Sequence, residues 1–89
     1  MITGYDEATT RTLNQTGAIR GVRVIAQGDS WAVEVQAGGE WVPMVSARGH
    51  VRTWRSLDRL TLWLHGDIGV GAWTVDAEKF EPSQRRAAV

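Results

Sequence analysis

A chain of 89 residues with no cysteine and ten basic against ten acidic side chains has no disulfide framework and no cysteine-based metal site. It is also too short to give two domains a core each. The zero formal balance argues against an electrostatic grip on nucleic acid spread over the whole protein.

No apolar run approaches the ~18 residues of a membrane span. The start, Met1-Ile2-Thr3-Gly4-Tyr5-Asp6-Glu7, is acidic and lacks the hydrophobic segment of a secretory signal. Together with the missing cysteines, this predicts a soluble cytoplasmic protein. Residues 1–18 hold five threonines and no period of two or 3.6, which predicts a flexible N-terminal arm. A short helix from Glu7 to Leu13 is compatible with the sequence but has no packing to support it.

From Gly21 the pattern changes. Val22-Arg23-Val24-Ile25-Ala26-Gln27 is β-branched and roughly alternating, and Gly28-Asp29-Ser30 is a turn cluster. Trp31, Val33 and Val35 alternate with Ala32, Glu34 and Gln36, and Gly38-Gly39 is a hairpin signal. Trp41 to Ser46 is a third strand in which Pro43, lacking an N–H, belongs at an edge, a strand start or a bulge. Ala47-Arg48-Gly49-His50 turns the chain into a short fourth strand, Val51 to Trp54. Connections this short predict an antiparallel meander.

The period then switches. Ser56 caps a helix of about ten residues with Asp58 in its first turn, Leu57, Leu60 and Leu64 on one stripe, Trp63 widening it, and Gly66 as the closing residue. So short a helix needs the sheet to hold it. Ala72 to Asp76 reads as a fifth strand, and a turn after Ala77 brings Phe80 inward. The predicted fold is α+β: a ββββαβ chain with one helix on a meander. Its parts are the arm at 1–18, one domain at 19–82 and a frayed tail at 83–89.

Catalytic patterns are missing. Ser30, Ser46, Ser56 and Ser83 stand in no nucleophile motif, and Ser56 serves as a cap. His50 falls in a turn and His65 at a helix C-terminus, where surface roles suffice. Joined by Asp67 they make no dense ligand cluster. Gly66, Gly69 and Gly71 follow a helix and precede a strand, the wrong polarity for phosphate binding. The expectation is a non-enzymatic protein without cofactor or metal.

Charge distribution is more informative. Residues 1–47 carry Arg11, Arg20 and Arg23 against Asp6, Glu7, Asp29, Glu34 and Glu40, a net of −2. Residues 48–59 carry Arg48, Arg52, Arg55 and Arg59 against Asp58, a net of +3, and residues 60–84 return to −3. Nine of the ten basic residues are arginine, which suits forked contacts with carboxylate or phosphate. Three readings fit the segment: a solvated face paired with Glu34, Glu40 or Asp58, a contact for an acidic protein, or a nucleic-acid contact. Of the five tryptophans, Trp31, Trp63 and Trp73 fall on predicted core faces. Trp54, on a strand face with Arg52, and Trp41 are candidate interface anchors. Unpaired meander edges and the small core also favour a homodimer.

The run Ser46-Ala47-Arg48-Gly49-His50-Val51-Arg52-Thr53-Trp54-Arg55-Ser56-Leu57-Asp58 is the most distinctive stretch. With Leu64, Gly69-Val70-Gly71 and Trp73-Thr74-Val75-Asp76, it resembles the ParC-like family of small plasmid partition-associated proteins. The similarity spans roughly residues 20–82. It implies a bacterial plasmid-encoded protein that accompanies a partition ATPase, a centromere-binding protein and their DNA site. This chain has no Walker motif and only one evident helix, so neither of those roles fits and an accessory one is implied. The resemblance transfers no site residues. Arg48, Arg52, Arg55 and Arg59 are singled out by charge and position alone.

Overall fold

The computed structural model describes residues 4–81. Its elements are α1 (Glu7–Gln15), β1 (Gly21–Gln27), β2 (Ser30–Gln36), β3 (Trp41–Pro43), β4 (Thr53–Trp54), α2 (Leu57–Leu62, continuing as a π-helical turn over Trp63–Ile68) and β5 (Thr74–Asp76). The fold is α+β, a five-stranded sheet with α2 and its π turn packed on one face, and α1 packed against the π turn. No helix among the described residues is long and apolar enough to cross a membrane.

The β1–β2 hairpin is the spine. Its register pairs Val22 with Val35, Val24 with Val33, and Ala26 with Trp31, so the alternation seen in each strand becomes one continuous apolar face. Leu60, Trp63, Leu64 and Ile68 press onto that face, and Val70 closes its end. Leu60 and Leu64 are completely buried, each contributing about 1.5–3 kcal/mol of apolar burial. Ser56 caps α2 as its position predicts, its Oγ accepting the Arg59 amide at 3.2 Å.

Three expectations change. First, the chain is not a simple meander. β3 pairs with Glu34–Gln36 of β2, Met44 extends the ladder to Val33, and β4 then pairs with Ala32 and Trp31 on the same edge of β2. Val45 to Val51 is a hairpin excursion from that edge, closed by the Ser46 amide on the His50 carbonyl, with Gly49 at φ +85°. β5 lies beside β1 in parallel, because the intervening helix carries the chain across the sheet.

Second, the helix runs past Gly66. The wider π turn keeps Trp63, Leu64 and Ile68 facing inward, and Gly69, at φ +93°, ends it. Third, residues 7–15, assigned by sequence to a flexible arm, form α1. Asp6 is its N-cap, accepting the Thr9 amide at 2.8 Å, and Gly17 supplies the left-handed residue after its end. Just before it, Tyr5 pairs with the chain at Met44: its amide donates to Pro43 and its carbonyl accepts from Val45. Phe80 turns inward as expected and stacks on Trp31, with ring centroids 5.0 Å apart. The tail at 83–89 lies outside the described residues.

Candidate functional site

The arginine segment comes together around Arg52. Leaving the Val45–Val51 excursion, the chain enters β4, and Arg52 and Trp54, two residues apart, project toward the same side. The π turn brings Trp63 to meet them. The Arg52 guanidinium carbon lies 4.7 Å from the Trp54 ring centroid and 4.9 Å from that of Trp63, and the two rings are 4.9 Å apart and tilted by 42°. Guanidinium and two indoles thus form a nearly equilateral triangle, each cation–ring contact worth about 0.5–1 kcal/mol.

The fourth member is Glu7, at the first turn of α1. Its Oε1 accepts from Arg52 Nη1 at 3.1 Å and from the Trp63 indole N–H at 3.3 Å, and its Oε2 accepts from Arg11 Nη2 at 2.7 Å. These donors hold the Glu7 carboxyl below its usual range. The Arg11 hydrogen bond is the main cause, partial burial opposes it, and Arg52 and Trp63 add to it. Asp6 beside it is also lowered, by the Thr9 amide and hydroxyl that it caps.

Glu7 is held there because α1 caps the end of the neighbouring helix. Arg11 Nε donates to the Asp67 carbonyl at 3.0 Å and Asn14 Nδ2 to the Ile68 carbonyl at 3.1 Å, satisfying carbonyls left over where the π turn stops. Thr10, between them, is the one fully buried polar residue of the described chain, its hydroxyl bonded back to the Asp6 carbonyl. A shallow cleft of about 390 Å³ separates the start of α1 from the 45–51 excursion, lined by Glu7, Ala8, Val45, Ala47 and Arg52.

The other arginines are distributed differently. Arg55 reaches Asp29 at 2.8 Å, an exposed pair with little energetic weight. Arg48, at the tip of the excursion, and Arg59, on the outer side of α2, are exposed and make no ion pair among the described residues. Neither Glu40 nor Asp58 pairs with the segment, and Glu34 is taken by Arg23 at 2.6 Å. The segment's ion-pair partners are instead Glu7 and Asp29, remote in sequence.

Among the tryptophans, Trp31 and Trp63 are buried and Trp73 is half-buried against the core. Trp54 is half-buried and packed on the core, with one face toward Trp63 and Arg52. Trp41 lies on the opposite face of the sheet, 4.3 Å beneath the Arg23 guanidinium, well away from the Arg52 triangle in the ladder. Sequence reasoning missed Glu7 and the Trp63 indole N–H. Three signals for α1 were present: Asp6 as cap, Glu7 and Arg11 four apart, and Gly17 at the end.

Among the described residues no group of histidine and carboxylate side chains is arranged to hold a metal ion. Comparison with protein-family models found no match, and comparisons with curated proteins and with solved structures found none of significance.

Proposed function

We propose that the protein is a non-enzymatic accessory module of bacterial plasmid partition that binds an acidic segment of a partner protein through its arginine-rich surface. The partition context rests on the resemblance of residues 46–58 and 64–76 to ParC-like proteins. The binding mode rests on one observation: the segment builds a carboxylate site, in which Arg52, backed by Trp54 and Trp63, already holds a glutamate. Arg48 and Arg59, from the same segment, add exposed cationic groups that have no counter-ion among the described residues. Arg55, loosely paired with Asp29, adds a third.

This pattern favours an acidic protein over nucleic acid. A phosphate-tracking surface needs several cations in a row, whereas Arg52 lies between two indoles and meets one carboxylate, and Arg55 turns to Asp29. Arg48→Glu/Arg59→Glu changes two exposed side chains and leaves the core intact. Affinity capture from plasmid-bearing cells should recover an acidic partition component with the wild-type protein and lose it with this variant. Equal recovery by both proteins rejects the site, and capture of plasmid DNA in place of protein rejects the partner class.

A further inference from the structure

We infer that the segment from Gly4 to Gln15 is a displaceable strap, occupying in cis a site whose external ligand is an acidic peptide presenting a glutamate to Arg52 and the Trp63 indole. The inference deepens the reading of the Arg52 surface as a contact for an acidic partner. It rests on how the strap is held.

The strap mimics a ligand in two ways. Tyr5 adds one extended residue to the chain edge at Pro43 to Val45, by two backbone hydrogen bonds of 3.0 and 2.9 Å. Glu7, two residues on, places its carboxylate on Arg52 and Trp63. Strand addition followed by one charged anchor is a general mode of peptide recognition. The approach is close at Gly4, where a Cβ would lie 2.5 Å from both the Pro43 carbonyl oxygen and Val45 Cγ1.

The grip of α1 itself is polar. Glu7, Thr10, Arg11 and Asn14 form its inward stripe, and Thr10 is its one buried residue. Helices fixed by apolar burial leave with the whole core, whereas α1 contributes no side chain to the core that holds Leu60, Leu64 and Val33; within the strap only Tyr5 packs against that core. Behind it, residues 16–20 form a short connection to β1 that contains Gly17 at φ +75°. When the strap is off, the cleft beside Ala47, the Pro43–Val45 edge and the Arg52 triangle are open together. A strap occupying its site most of the time lowers apparent affinity for an external ligand by the fraction of molecules that are open.

The test uses the full chain and a fluorescein-labelled peptide of residues 4–15, Gly-Tyr-Asp-Glu-Ala-Thr-Thr-Arg-Thr-Leu-Asn-Gln, read by fluorescence anisotropy. The wild type should bind it weakly. Glu7→Gln, whose own strap has lost its carboxylate, should bind about tenfold more tightly, and adding Arg52→Gln should abolish the gain. Asn14→Ala releases the strap from the Ile68 carbonyl without touching Glu7 or Arg52, so it provides the same comparison should Glu7→Gln fold poorly. The inference is overturned if neither variant binds better than wild type, or if a peptide with glutamine in place of its glutamate binds equally well. A gain without capture of any cellular partner supports the strap and rejects the partition role. Capture without a gain rejects the strap alone.

Discussion

Glu7 shows how one side chain becomes a structural organiser. Its carboxylate meets two guanidinium groups and an indole N–H, one set from its own helix and the other from residues 45 and 56 positions away. With 38% of the side chain exposed, each contact is individually modest, on the order of 1 kcal/mol or less. The folded protein lowers the pKa of this group, so its contribution is complete above the ordinary value of 4.5 and is lost as pH falls through the depressed one. Asp6, the lowered N-cap, fails in the same direction. On acidification the amides of α1 should therefore lose exchange protection before those of β1. Equal protection of both elements down to roughly pH 3 would show that α1 does not depend on these carboxylates. Asp6 as a cap and the four-residue spacing of Glu7 and Arg11 were legible in the sequence, whereas Arg52 and Trp63 were not, because they lie 45 and 56 positions from Glu7 and no local pattern names them.

At the level of elements, legibility followed the apolar pattern. β1 and β2 alternate and form where expected, and α2, repeating at i, i+3 and i+7, starts where expected but runs on past Gly66 as a π turn. α1 failed the same search because its docking stripe of Glu7, Thr10, Arg11 and Asn14 has helical spacing but no apolar member. The place of β4 was hidden for another reason. Hairpin length identifies a turn, but not that the 45–51 excursion would rejoin the same edge of β2. Nor does any local signal say that β5 pairs in parallel with β1, which is decided by where the crossing helix delivers the chain. The two helices should respond differently to truncation. Leu64→Ala, in the apolar interface, should cost about 2–5 kcal/mol in urea unfolding. Asn14→Ala should cost about 1 kcal/mol and act mainly on α1. Comparable losses for both would mean that α1 belongs to the cooperative core and is not a separable strap.

For the molecule as a whole, the zero net charge conceals an arrangement of pairs. Arg52 and Arg11 meet at Glu7, Arg55 meets Asp29, and Arg23 meets Glu34 while covering Trp41. What the sequence presents as a +3 segment is in space one saturated carboxylate site, one loose pair, and two exposed arginines, Arg48 and Arg59, that have no counter-ion among the described residues. On the proposed reading, this arrangement suits a single partner carboxylate better than a run of phosphates. α2 and its π turn take one face of the sheet, and the site lies where Glu7 of α1 meets Arg52 and Trp54 beside the 45–51 excursion and Trp63 of the π turn.

Five tryptophans placed in five environments give this account a direct reporter, since each indole N–H yields its own nuclear magnetic resonance signal. Titrating the full Glu7→Gln chain with the residue 4–15 peptide should move the Trp54 and Trp63 signals while Trp31, Trp41 and Trp73 hold still. Movement centred on Trp41 or Trp73, or a Trp54/Trp63 response to duplex DNA but not to the peptide, would contradict a carboxylate-binding site at Arg52.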